Sequence, residues 1–216
     1  MEGIEFQDVS FHYPNGFLAN EGLNLKVRPG ERVAIIGQNG AGKSTAAKMM
    51  NGLYKPTQGR VLVNGVDTKD KTTAQIARMV GYVFQNPDEQ IFNSTVIKEI
   101  EYMPRYFHLP EEEIKARTDE VLSLTGLEHC RDMNPFDISY STRKFVTIAA
   151  VLATKPLYTI WDEPTAGQDC KHTAILRQIL DYLQERGVGV VVITHDMDFV
   201  VNTFDRIVVM ANKHII

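Results

Sequence analysis

The sequence predicts an α/β fold: a parallel core sheet, an antiparallel β subdomain contributed by the N-terminal part, and an α-helical subdomain inserted between the two halves of the core. Three observations predict it. Strand runs that alternate partly or cleanly precede Arg32; strands and helices then alternate up to Phe84 and again from Leu157; and the intervening stretch from about Asn86 to Phe145 has no convincing strand.

Taken in order, Ile4 to Phe11 and Leu23 to Val27 read as antiparallel strands, and Pro29-Gly30 turns the chain into the apolar run Arg32 to Gly37. Ala46 to Met50 are helix formers. Arg60 to Val63 leads through Asn64-Gly65, a hairpin-turn pair, into Val66-Asp67, a short helix over Thr72 to Met79 and a strand from Val80 to Phe84. Pro110-Glu111-Glu112-Glu113 starts a helix, with acidic residues at its positive end, that runs to Thr125 before Gly126. Leu157 to Trp161, Val188 to Thr194 and Arg206 to Met210 are strands, separated by helices from about Thr173 to Arg186 and from about Met197. The expected division is one domain over 1–216: a core formed by 1–85 and 146–216, including the antiparallel part, and a helical subdomain at about 86–145. The chain stops in a strand-like Lys213 to Ile216 with no closing helix, so C-terminal material is expected to be missing.

Between the Arg32 strand and the first helix lies Gly37-Gln38-Asn39-Gly40-Ala41-Gly42-Lys43-Ser44-Thr45, which fits the phosphate-binding pattern G-x-x-x-x-G-K-[ST]. Glycines let successive N–H groups turn toward one anion, the helix N-terminus adds positive partial charge, and Lys43 adds a full one. Ser44 is placed to face a magnesium ion. The strand Leu157 to Trp161 ends in Asp162 and Glu163, where an open sheet of this kind presents its ligand. Asp162 is expected to hold magnesium and Glu163 to polarise the water that attacks a γ-phosphate. A second strand ends at His195, which can donate a hydrogen bond to that phosphate. Gln85 has an amide suited to the metal and the attacking water. Tyr13 offers a ring for adenine. His195 also fits an ordinary strand-end residue and Tyr13 a strand-end aromatic covering the sheet, while glutamine is too common for Gln85 to be read alone.

With 216 residues, a net charge of −4 and a pI near 5.9, the composition argues against a nucleic-acid binder, which needs a concentrated basic surface, and leaves only a local basic patch open. Its apolar runs fall far short of the ~20 residues that cross a bilayer. The N-terminus has no signal-peptide pattern, which points to the cytosolic side. Cys130 and Cys170 lack metal-ligand spacing and read as ordinary thiols.

The order of these motifs resembles the nucleotide-binding subunits of ABC transporters over essentially the whole chain, which implies the phosphate-loop ABC ATPase fold. By that resemblance Tyr13 is the adenine-stacking aromatic, Gly37 to Thr45 the Walker A loop, and Gln85 the Q-loop glutamine. Asp162 and Glu163 match the Walker B pair, Ala166 to Asp169 the D-loop, and His195 the switch histidine. The segment Phe84 to Phe92 is most similar to energy-coupling-factor and cobalt/nickel-type importers. The resemblance implies ATP and Mg2+ as ligands, a second ABC ATPase subunit in a hetero- or homodimer, integral membrane subunits as partners, and a peripheral place at the cytoplasmic face of the cell membrane. A vitamin or a transition-metal ion would be the cargo.

One motif departs from the family. In place of L-S-G-G-Q stands Ile138-Ser139-Tyr140-Ser141-Thr142. In the family this loop presses its serine onto the nucleotide of the opposite subunit, so Ser139 is expected to bind ATP in trans. Tyr140 and Ser141 replace glycines, and any position there needing φ > 0 is expected to cost ~1–2 kcal/mol. Two other readings are a regulatory ATP-binding module with little hydrolysis and a non-transport ABC ATPase.

Overall fold

The computed structural model describes residues 3–216. Strands β1 (Ile4–His12) and β2 (Leu18–Val27) pair antiparallel, and β3 (Arg32–Gly37) leads through the glycine-rich loop into α1 (Lys43–Met50). Next, β4 (Gln58–Val63) turns at Asn64-Gly65 into β5 (Val66–Asp67), and α2 (Thr73–Ala77) leads to β6 (Val80–Val83). Helices α3 (Val96–Tyr106), α4 (Glu111–Thr125) and α5 (Tyr140–Leu152) follow with no strand among them. The remaining elements are β7 (Tyr158–Asp162), α6 (Cys170–Glu185), β8 (Gly189–Ile193), α7 (Met197–Val201), β9 (Arg206–Ala211) and β10 (His214–Ile215).

Two sheets result. The antiparallel one has the order β2-β1-β4-β5, and the core sheet has the order β10-β9-β3-β8-β7-β6, parallel except for β10. In β7, β8 and β3 successive residues feed opposite faces. Ile160, Val191, Ile193, Val33 and Ile35 pack with α1 and the antiparallel sheet, whereas Trp161, Val190, Val192 and Ala34 pack with α3, α4, α5 and α6. A strand buried on both faces has no polar side, which is why these segments read as unbroken apolar runs.

The expected strands all form, though β2 starts at Leu18, five residues before the alternation becomes clean. The helix over Thr72 to Met79 shortens to α2, with Thr72 as its cap in a capping box with Gln75. Helix α4 runs as expected and ends at Gly126. Helix α3 is the element the pattern did not delimit. Pro104 lies inside it, and the sequence signal of a proline is a helix end; burial of Val96 and Ile100, with Thr95 as the N-cap, holds it instead. Helix α5 passes residue 145 without a break, packing on α3 and α4 and on β6. It therefore carries the chain from helical lobe to core as one continuous helix.

Candidate active site

The parallel strand ends converge on one cleft of about 300 Å³. Among its lining residues are Tyr13, Asn39, Gly40, Gly42, Lys43, Ser44, Thr45, Gln85, Asp162 and Glu163. Register explains the meeting: Asp162 lies beside Ile193 of β8, and Ile193 beside Ile35 of β3, two residues before β3 ends at Gly37. Gly37 and Gly42 are fixed by their neighbours as well as by the loop's needs. A Cβ at Gly37 (φ 149) would lie 2.1 Å from the Met210 carbonyl oxygen, and one at Gly42 (φ 94) 2.4 Å from that of Ala19. Gly42 caps α1, and Ala41 beside it is buried.

Lys43 is buried, and its ammonium donates to the carbonyl oxygens of Gly37 at 2.8 Å and Gln38 at 3.0 Å. The loop thus curls around the cation that a phosphate would meet. Tyr13 shares a hydrogen bond with Thr45 Oγ1 at 2.9 Å and packs edge-on against Phe11 and Tyr54, which fixes its ring at the cleft wall. Phe17, exposed at the rim, and Ala19 line the same wall. The sequence reading overlooked both, because they follow the Tyr13 turn in a stretch without alternation.

Asp162 is 5 % exposed, and the Tyr82 hydroxyl donates to its Oδ2 at 3.0 Å. Burial pushes the carboxyl above its ordinary value, while the Ser44 and Tyr82 hydroxyls oppose the rise and the Glu163 charge adds to it. Its Oδ1 is buried with no hydrogen-bond partner among the described residues. A buried carboxylate oxygen without a donor, beside a serine hydroxyl, fits a hard divalent cation bound by oxygen ligands.

Glu163 takes a left-handed backbone (φ 51), a conformation that costs a non-glycine residue roughly 1 kcal/mol or more. Its N–H donates to the Ile193 carbonyl at 2.8 Å. Its carbonyl accepts from the ammonium of Lys144 at 2.6 Å. His195 does not line the cleft, but its Nδ1 stands 2.9 Å from Glu163 Oε2, with the imidazole largely exposed. Gln85 enters from a segment closed by Gln90, whose side chain accepts from the Phe84 N–H at 3.0 Å.

Ser139 lies outside the cleft of its own chain. It caps α5, accepting from the Thr142 N–H at 3.2 Å, and its hydroxyl shares hydrogen bonds with those of Ser141 at 3.1 Å and Thr142 at 2.8 Å. The strain expected for Tyr140 and Ser141 does not arise. Both are in the first turn of α5 rather than in a loop, and neither has a positive φ. What the replacement changes is the surface, where the Tyr140 ring stands 44 % exposed against Gly167.

Sequence reasoning also missed Tyr82 and Lys144, which support the carboxylate pair. Their only sequence signals were a tyrosine in an otherwise small, apolar strand and a lysine at the head of the apolar run Phe145 to Ala150.

A phosphate loop opening a helix, facing two strand-end carboxylates, defines a phosphate-loop nucleotide hydrolase. The family described as "ABC transporter" matches residues 20–166, and the chain belongs to it. It is an ATP-binding, ATP-hydrolysing subunit of a transporter. The chain is similar to the energy-coupling factor transporter ATP-binding protein EcfA of Methanocaldococcus jannaschii, at 38 % identity covering 99 % of this chain and 77 % of the relative. Among solved structures it resembles cbiO1 from Clostridium perfringens, part of the cbiONQ complex, with TM-score 0.89 and 34 % identity over 99 % of this chain and 86 % of the other. A dimeric ATP-binding cassette in a post-hydrolysis state with ADP and Pi superposes with TM-score 0.88 and 29 % identity, covering 98 % and 96 %.

Proposed function

We propose that this cassette hydrolyses ATP at its own phosphate loop within an energy-coupling-factor-type importer, in an ATP-closed dimer with a different ATPase subunit. The observation that carries the hydrolytic reading is the left-handed Glu163, its carboxylate beside both His195 and the lining of the cleft. The loop N–H groups, the α1 N-terminus and Lys43 bind the phosphates, and Tyr13 and Phe17 offer rings to adenine. Ser44, Asp162 and Gln85 would hold magnesium, which when bound offsets the charge of the β- and γ-phosphates. Glu163 takes a proton from water as the water oxygen bonds to the γ-phosphorus; the bond from that phosphorus to the bridging oxygen breaks, and ADP keeps the bridging oxygen. His195, whose Nδ1 stands 2.9 Å from Glu163 Oε2, would lie near the new phosphate.

The choice of a heterodimer rests on Tyr140. Its ring projects from the α5 start at the position where the family's glycines let backbone approach phosphate, so this chain's own signature serves an opposite site poorly. A partner with intact glycines completes the site here. The coarser partnership, membrane subunits with a cassette dimer, is common to the relatives. For this chain the membrane contact is assigned to an apolar groove of about 260 Å³ between core and helical lobe, where Leu53, Phe92 and Tyr102 are exposed and Phe92 meets Tyr102 edge-on. A short helix with an apolar face fits such a groove. It would hold the cassette at the cytoplasmic face of the cell membrane, and the cargo, a vitamin or a transition-metal ion, would be selected by another chain.

Glu163→Gln tests the hydrolytic reading. ATP affinity, measured by fluorescent-nucleotide titration, is expected to stay within about threefold while turnover falls by a factor on the order of 10² or more, the span general-base removal covers. Unchanged turnover would remove Glu163 from the role of base.

A further inference from the structure

Lys144 is a fully buried lysine in the interior face of α5. Burying an ammonium is costly unless acceptors meet it, and two carbonyl oxygens do: Glu163 O at 2.6 Å and Ala166 O at 3.3 Å. These belong to the turn that leaves β7, in which the Ala166 N–H also donates to Glu163 O at 3.3 Å. The residue in the left-handed conformation is therefore gripped on both sides, its N–H by β8 and its carbonyl by α5. The phosphate loop makes none of these contacts.

We infer that Lys144 is a positioning residue for hydrolysis: its ammonium fastens the Glu163 turn to the helix that Ser139 caps, and so sets where the Glu163 carboxylate points. This rests on Glu163 being the base. A side chain that only filled the core would have no need of a charge. One that holds a strained backbone against two carbonyls does, because an apolar replacement leaves the carbonyls without their donor and the turn free to relax. Lys144 also lies about one helical turn from Tyr140. One side chain thus joins the helix start that faces a partner's nucleotide to the base of this chain's own site.

A double-mutant cycle separates positioning from plain structural support. Single-turnover hydrolysis of radiolabelled ATP is measured in the full chain, together with its native ATPase partner, for Lys144→Met, Glu163→Gln and the double variant. Lys144→Met is expected to slow hydrolysis about tenfold or more with ATP affinity changed less than about threefold, and to slow the Glu163→Gln background by less than about twofold. Equal slowing in both backgrounds, or a loss confined to ATP affinity, would overturn the proposal. If Lys144→Met hydrolyses at the unaltered rate while Glu163→Gln does not, the positioning role fails and the base stands. If Glu163→Gln hydrolyses normally, the base assignment itself fails. Should Lys144→Met not fold, Lys144→Gln takes its place in the cycle; failure of both to fold would assign Lys144 a structural role alone.

Discussion

Glu163 and Lys144 show how a strand-end carboxylate is held by groups far from it in sequence. Burial lowers the Lys144 ammonium to about 8, and the negative charges of Glu163 and Asp162 keep it from falling further. The unfolded chain has no such burial, so between about pH 8 and the ordinary lysine value near 10.4 the unfolded state binds more protons than the folded one. In that window this lysine makes folding more favourable as pH rises, by at most about 1.4 kcal/mol per pH unit; below it, the group is charged in both states and the burial penalty is constant. Denaturant unfolding of wild type and Lys144→Met at pH 7, 8, 9 and 10 isolates this contribution, since other groups titrate alike in both. The stability difference is expected to be flat from pH 7 to 8 and to shift in favour of wild type above it. Asp162 and Glu163 were legible in the sequence because they close an apolar strand in a chain that also carries a phosphate loop. Lys144 and Tyr82 were not. Their meaning lies in contacts made across 19 and 80 residues of chain, which no local pattern encodes.

At the scale of elements, the start of α5 is where sequence and structure part most usefully. The altered motif suggested a loop with misplaced Cβ atoms. The residues instead begin a helix, because Ser139 caps it through the Thr142 N–H and the run from Phe145 to Ala149 buries its apolar side. Ser139→Ala is expected to lower stability by roughly 1 kcal/mol, as loss of a serine N-cap does, while ATP affinity of the cleft in the same chain stays unchanged, since Ser139 does not line it. Urea unfolding and nucleotide titration of the same preparation check the two halves of that outcome. Helix α4 was readable from both ends because Pro110 with three glutamates opens it and Gly126 closes it. Helix α3 was hidden by Pro104 and by an anchor invisible in one dimension: Glu99, buried on α3, accepts from the N–H groups of Phe92 and Asn93 and so ties the helix to the segment after Gln85.

For the whole molecule, the two sheets and the helical lobe surround a cleft lined by phosphate-loop residues, with Ser139 outside it. Among the described residues no helix is long and apolar enough to cross a membrane, and the apolar groove between core and lobe joins the segment after Gln85 to the surface. The order of motifs along the chain made this architecture legible. The exposed Tyr140 ring and the packing of Gly167 against it emerged only when the chain was folded. The asymmetric dimer stands or falls on that surface. Light scattering of the Glu163→Gln chain, with and without magnesium-ATP, beside the same chain carrying Tyr140→Gly, Ser141→Gly and Thr142→Gln, tests it most directly. The parent is expected to keep the mass of a monomer in both conditions, and the chain with restored glycines to double its mass only with magnesium-ATP. ATP-driven doubling of the parent would contradict the asymmetry, for it would show that Ile138 to Thr142 closes on a second copy as it stands.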